Sequence, residues 1–371
     1  MFRLPRSTSD ASLFRRYLEL TMPPGALEAL FQPVLKILAQ RTQPHQEPLK
    51  LAGLLFAGDH AVARRHGVSA FPAEVTPQMV ANIVRGGAAV SQLAQRRDAP
   101  LWVCDVGIAH GFDSLLAIPS NENVHFERAN LHTVFPSDGF GEGARDITTQ
   151  AALSLHAHQH CWDVGARLAE EAIRASGCDV VFLGEMGIGN TTPASAISAH
   201  LLGMTADACT GRGTGVSDAV WQSKKRVVEM ALERVRKDGT VSRVQSLNDA
   251  HVLLQELGGA ELSALAGAAW RAAEMGRMVL LDGVIVTAAV APFAIAEKSF
   301  SAWLLASHES AEPVHKSLLH ALGLNPLLKL GLRLGEGSGA ALAAGLLQDA
   351  DALLRGMATF SSAGVSSADS L

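Results

Sequence analysis

Glu336 stands between Gly335 and Gly337, and Ser338 follows. A carboxylate so placed has no side-chain neighbours in sequence to shield it, and its flanking backbone is free to present it to a ligand. Two readings stay open: a general base, or an acid in an exposed glycine-rich turn, with Ser338 capping the helix that follows. A second stretch, Gly184-Glu-Met-Gly-Ile-Gly-Asn-Thr-Thr-Pro193, comes directly after an apolar run. There Gly184, Gly187 and Gly189 permit a tight turn and close approach of backbone to a ligand. Asn190, Thr191 and Thr192 offer caps to a helix opened by Pro193. Strand, glycine turn and helix N-terminus together suit a phosphate or a carboxylate, or make a purely structural turn. The spacing G-x-x-G-x-G is neither the dinucleotide fingerprint nor a Walker loop.

Gly211-Arg-Gly-Thr-Gly215 is another glycine-rich loop, and it feeds a helix carrying Lys224, Lys225 and Arg226. That basic run is either a solvated face or a phosphate contact. Asp59 and His60 at a strand end form either a catalytic pair or a cap of the turn. His156, His158 and His160 alternate, but on a helix only His156 and His160 share a face and no carboxylate is spaced to help. They read as a solvated helix start, and neither a metal nor another cofactor is expected.

Positioning these groups requires strands that end at one edge. Leu51 to Ala57, Leu101 to Val106, Val180 to Leu183, Met278 to Leu281 and Ala302 to Ala306 read as buried strands, with a short one near Val124 to Phe126. Each of the five main strands ends in small, polar or charged residues, and in a parallel sheet those ends share the edge where ligands bind. Helices are expected over 10–40, where Pro33 must kink or shorten the run, from Thr76-Pro77, over 148–175, over most of 243–276, and up to about Arg355. A polar linker over 42–48, a loop-rich 111–147 and a disordered polar tail complete the chain. The expected class is α/β: a mostly parallel, Rossmann-like sheet with helices on both faces.

At 371 residues, with 48% hydrophobic and 18% charged side chains, the chain is a soluble globular protein with room for a large core and a smaller subdomain. A net charge of −5 argues against a nucleic-acid binder. Cys104, Cys161, Cys178 and Cys209 have no metal-type spacing and read as reduced, mostly buried thiols in a cytoplasmic protein. The best membrane-span candidate, Met278 to Ala296, contains Asp282, Gly283 and Pro292 and reads better as a strand, a turn and a buried helix.

In combination, the motifs resemble those of the nicotinate-nucleotide:dimethylbenzimidazole phosphoribosyltransferases of cobalamin biosynthesis. The matching pieces are the 184–194 stretch, Gly211-Arg-Gly-Thr-Gly215 with Lys224, Val279-Leu-Leu-Asp-Gly283, Ser307-His308 and Arg333-Leu-Gly-Glu-Gly-Ser-Gly-Ala-Ala-Leu342. Weaker echoes occur at Gly58-Asp-His60, Val75-Thr-Pro-Gln-Met-Val80 and Asp105-Val-Gly-Ile108. The order is kept over nearly the whole chain. The resemblance implies a large Rossmann-like domain over 45–335, a small helical domain made from 1–44 and 336–371, and a homodimer. It implies transfer of the phosphoribosyl group of nicotinate mononucleotide to 5,6-dimethylbenzimidazole or a related base. Glu336 then matches the catalytic base. Gly187, Gly189, Asn190 and Lys224 anchor the nucleotide, and Glu185, Ser307 and Arg333 line the site. Thr191, Gly213, Gly215, Gly335, Asp59 and Thr76 join them as substrate-binding positions. Met22 replaces a family lysine, and Asp146 puts an acid close to where the nucleotide lies. The alternatives are the same chemistry on adenine or a phenol, or a silent nucleotide-binding paralogue.

Overall fold

Leu51–Gly58, Leu101–Gly107, Val124–Arg128, Val180–Met186, Met278–Leu281, Leu304–His308 and Pro326–Leu328 are the strands β1 to β7. The computed structural model describes residues 2–6, 11–41, 47–109 and 121–366. The strands form one sheet in the order 3-2-1-4-5-6-7, and the pairings are all parallel. Every residue of β1, β2, β4 and β5 is buried. Helices on both faces explain why these strands are continuous apolar runs rather than alternating ones. Helix Ala260–Glu274 lies against β1, β2, β4 and β5 and packs on helices Leu155–Ser176 and Val284–Ala296. Helix Ser338–Gly356 lies against β4, β5 and β6 and packs on helices Glu28–Leu38 and Ala89–Arg96.

The order reverses between β1 and β4. The chain leaves β1 for one side of the sheet and returns to β4 on the other, which opens a crevice at the carboxyl ends of those two strands. The Rossmann-like expectation is met. β7, at the edge, was not expected; it is three half-buried residues long and begins with Pro326. Proline is tolerated at the first position of an edge strand but is a poor strand signal.

Several helix expectations change. The 10–40 run is two helices, Ala11–Glu19 and Glu28–Leu38, parted at Pro23-Pro24-Gly25, and the second continues through Pro33. The helix expected from 148 begins at Leu155 instead. Asp146 takes the N–H of Thr148 on its carboxylate and those of Thr149 and Gln150 on its carbonyl, making a turn there, and Ser154 caps the helix. The 278–296 segment is β5, a turn and a helix buried all round, as expected. Of the tail, Phe360–Ala363 is a helical turn closed by a Thr359 capping box, so that part is ordered. Its start pairs with Leu20, and Arg16 donates to the carbonyls of Leu354, Arg355 and Met357. The remaining tail expectation at 367–371, the linker at 42–46 and the loop at 111–120 lie outside the described residues. All four cysteines are free and buried. No helix among the described residues is long and apolar enough to cross a membrane.

Candidate active site

β4 does not stop at Leu183; it runs on through Gly184, Glu185 and Met186. Gly184 is therefore a strand residue and not part of the turn. A Cβ there would lie 2.7 Å from the Glu336 carbonyl oxygen and 2.8 Å from Gly337 Cα. Bare strand backbone is thus the seat of the 335–337 turn. Gly335 and Gly337 have φ of 82° and 79°, and Glu336 itself sits at 63°, a left-handed conformation uncommon outside glycine. Such strain persists only where the surroundings over-determine it. Ser338 is not the cap: Gly337 holds that position, and the Ser338 hydroxyl is buried without a partner. Asp282, just past β5, fastens the helix start instead. Its Oδ1 accepts the Ala340 N–H at 2.8 Å, and the backbone N–H groups of Gly283 and Gly337 favour its charged form.

Between this turn, the ends of β4, β5 and β6 and the 211–215 loop lies a cleft of about 630 Å³. Glu185, Gly187, Asn190, Thr191, Gly213, Arg333, Gly335 and Glu336 line it. An adjoining hollow of about 70 Å³ adds Gly189 and Lys224. Phe71, Val75, Met79, Ile285 and Leu334 make an apolar side of the cleft, while Glu185, Asp282, Glu312 and Glu336 bring carboxyl groups to it.

Glu336 is buried, so the exposed-turn reading falls. Burial, helped by the charge of Asp282, pushes its carboxyl up to about 7. The start of helix Ser338–Gly356 favours the anion, but desolvation outweighs it. Glu185 is lifted further, to about 8, by burial and by the charges of Asp282, Glu261 and Glu336, against the hydrogen bond it receives from Asn190. Burial also raises Asp282, with His308 3.8 Å away acting in the opposite sense.

On the other side of the cleft, Asn190 stands at the N-cap of helix Thr191–Leu202, yet its amide donates to Glu185 Oε2 rather than capping. Lys224 is only 1% exposed and its Nζ donates to the Gly211 carbonyl at 3.1 Å. Lys225 turns away, to Asp207 and the Trp221 ring. The basic run is therefore not a single solvated face.

Four of the expected site residues line neither cavity. Thr76 is inside helix Val75–Val84, not its cap, and its hydroxyl accepts the Ile188 N–H at 3.1 Å, while Asp59 Oδ2 accepts the Ala109 N–H at 3.0 Å. Thr76 thus supports the 187–190 turn, and Asp59 the end of β2. Gly215 approaches Arg333: a Cβ there would be 3.7 Å from Nη1. Ser307 is buried within β6 and bonds to His308 Nδ1 at 2.9 Å. His60 pairs with buried Glu261 at 2.6 Å and makes no cap bond. His158 is buried, bonded to Ser263 and His251, so a solvated helix start is wrong there. No cluster of metal-ligating side chains occurs among the described residues. Asp282, His308 and Glu312 line the cleft without having been singled out as site residues. Asp282 carried a signal, an acid at a strand end; Glu312 carried none, since an acid before a proline reads as an ordinary helix cap.

The sequence model of a family described as phosphoribosyltransferase matches residues 4–365. A protein of Chromobacterium violaceum named nicotinate-nucleotide--dimethylbenzimidazole phosphoribosyltransferase is 42% identical over 94% of this chain and 93% of its own length. One of the same name from Ectopseudomonas mendocina is 40% identical over 94% and 92%. Among solved structures, CobT from Thermus thermophilus superposes with a TM-score of 0.81 at 36% identity, covering 96% of this chain and 98% of that one.

Proposed function

The chain belongs to the nicotinate-nucleotide:dimethylbenzimidazole phosphoribosyltransferase family, and we propose that it carries out the family's reaction with Glu336 as base. The phosphoribosyl group of nicotinate mononucleotide passes to a nitrogen of 5,6-dimethylbenzimidazole, giving α-ribazole 5′-phosphate and nicotinate for cobalamin lower-ligand synthesis. The observation that carries the reading is Glu336: a buried carboxyl titrating near 7, on a strained turn, at a cleft with an apolar side.

The chemistry needs little else. The donor's leaving group is a cationic pyridinium, so the breaking bond leaves its electron pair on the ring nitrogen without an acid to expel it. As the acceptor nitrogen bonds to the anomeric carbon, its proton becomes acidic and passes to the Glu336 carboxylate, which helps chiefly in the transition state. Glu185 stays protonated at neutral pH. With Asn190 donating to Oε2, its proton resides on Oε1, available to a ribose or phosphate oxygen. The 187–191 turn and Lys224 anchor the 5′-phosphate. Phe71, Val75 and Met79 receive the flat acceptor, and tight positioning of both reactants supplies the rest of the acceleration.

The proposed division is a large domain over 45–335 and a small one from 1–44 with 336–371; the packing of helix Glu28–Leu38 on helix Ser338–Gly356 supports the association of the two chain ends, and the second helix also lies against β4, β5 and β6 of the sheet. Buried, free thiols support a reducing, cytoplasmic setting. Exposed Phe14, Leu18 and Leu353 support a homodimer, for which light scattering should return about twice 39.0 kDa. Incubation with nicotinate mononucleotide and a mixture of dimethylbenzimidazole, adenine and a phenol, with products identified by mass, tests the reading. The benzimidazole ribotide should dominate. Adenine or phenol product alone would shift the acceptor class, and no ribotide at all would overturn the transferase reading.

A further inference from the structure

Glu312 precedes Pro313 and holds the N-cap position of helix Pro313–Leu322, yet its side chain makes no cap bond. It is buried, lines the cleft and accepts the N–H of Gly213 at 2.7 Å, joining two loops 99 residues apart in the chain. Gly211 wraps the same carboxylate so closely that a Cβ there would lie 2.3 Å from Oε2. Lys224 completes the group: its Nζ reaches the Gly211 carbonyl at 3.1 Å, and a Cβ on Gly213 would be 3.6 Å from it.

The carboxylate is presented from a fixed frame. Glu309 N–H donates to the Leu328 carbonyl at 2.9 Å, Ala311 N–H to that of Leu332 at 3.0 Å, and Ser310 N–H to His315 Nδ1 at 2.9 Å. The 211–215 loop is bonded mainly to itself: Gly215 and Val216 N–H groups donate to the Arg212 carbonyl. Its glycines hold φ of 55° at Gly213 and 113° at Gly215. Such a loop takes its position from what holds it, and Glu312 holds it by the bond from the Gly213 N–H and by close packing against Gly211.

We infer that Glu312 is a positioning residue for the phosphoribosyl donor, holding the 211–215 loop against the cleft and supplying the counter-charge that keeps the buried Lys224 ammonium charged toward the donor phosphate. The inference rests on the transferase reading above. Burial lowers the Lys224 pKa and the Glu312 charge acts against that. The other charged or titratable groups around this corner are Arg212 in the loop, paired with Asp218; Arg333 beside Gly215; and His66 of helix Ala61–His66, bonded to Asp146. Those two aspartates are committed elsewhere, which leaves Glu312 to balance Lys224. A buried ammonium without a counter-charge gives up its proton more readily.

Steady-state kinetics from pH 6 to 10 on wild type, Glu312→Ala and Glu312→Gln, with calorimetric binding of nicotinate mononucleotide alongside, tests this. Glu312→Ala loses both roles, so the KM for nicotinate mononucleotide should rise roughly ten- to a hundredfold at pH 7, with the acceptor KM little changed. Glu312→Gln keeps an acceptor for the Gly213 N–H but not the charge. Its donor KM should stay near wild type at pH 7 and climb at an alkaline pH about one to three units below that of wild type. A merely structural role would not move that alkaline limb. An unchanged donor KM in both variants, equal rises for donor and acceptor, or a donor KM that falls because the carboxylate competes with the phosphate would each overturn the inference. If Glu312→Ala does not fold, Glu312→Gln still decides through its pH profile. If wild type binds nicotinate mononucleotide but does not turn it over, the transferase reading fails while calorimetry still reads Glu312; if wild type does not bind it, both fail.

Discussion

At the carboxyl edge of the sheet burial pushes carboxyl groups up, Glu336 to about 7 and Glu185 to about 8; between helices Leu155–Ser176 and Ala260–Glu274 it pushes His158 down to about 3. The cause is the same, since a charge removed from water is costly. The surroundings differ. His158 has one ring nitrogen bonded to Ser263 and the other to His251, and His251 lies among Trp162 and Phe293. It is a neutral polar core with its partners in place. Glu336 borders a cleft on a turn whose backbone is strained, and its partner must come from outside. Desolvation therefore marks a site only where a ligand has access.

The largest effect expected from this contrast is at Glu336. Glu336→Gln should lower turnover roughly a hundred- to ten-thousandfold while the melting temperature holds, and an acceptor with no dissociable proton should escape most of that loss. For wild type, kcat/KM should rise as pH increases through about 7, because deprotonated Glu336 is the base, and fall again above about 8, where Glu185 gives up the proton it offers to the donor. A flat profile, or a variant within a few-fold of wild type, would send the search to Glu185. Next comes Lys224→Ala, expected to raise the KM for nicotinate mononucleotide roughly ten- to a hundredfold and the acceptor KM little; an unchanged donor KM would remove Lys224 from the site.

A matched pair of glycine substitutions separates the regions directly. A Cβ at Gly184 would strike the backbone that carries Glu336, whereas one at Gly165, where the two helices cross, would lie 1.9 Å from the Ala264 carbonyl oxygen. Both are overpacked, which costs about 1–3 kcal/mol. Gly184→Ala should cost turnover per folded molecule, and Gly165→Ala only thermal stability. Equal loss of activity in both would mean the site has no special dependence on its seat.

The smallest expected effect concerns pH and stability. Glu185 keeps its proton on folding well above the ordinary value of 4.5, so its contribution to stability is fully present below pH 4.5 and is lost as pH rises toward 8. His158 runs the other way: its contribution is present above 6.5 and is lost as pH falls toward 3. Glu185→Gln should thus melt higher than wild type at pH 8, with the difference shrinking by pH 5. Thermal scans showing no pH dependence in that difference would mean Glu185 ionises freely in the folded state.

Most of the architecture was legible in the chain, because local patterns decide it. Short apolar runs closed by glycine or acid mark β1, β2, β4 and β5, and a strand must bury such a run wherever it lies. The Gly335-Glu336-Gly337 triplet and the 184–193 stretch were visible for a related reason: special backbone geometry demands special residues at fixed spacing. Where local chemistry was ambiguous the sequence misled. Thr76 and Asn190 read as caps, but their side chains serve the 187–190 turn and Glu185. Ser338 read as a cap, and Asp282 holds that helix start from 58 residues away.

The sequence by itself determined the parallel sheet, the glycine turns and the presence of a carboxylate at Glu336, since these follow from neighbours along the chain. Only the tertiary structure decided that Glu336 is buried, that Gly184 seats it, and that Glu185, Asp282 and Glu312 converge on one cleft. Those residues are far apart in the chain, and the protonation state of a carboxyl group depends on the water and charge around it in space, which no spacing along the chain encodes.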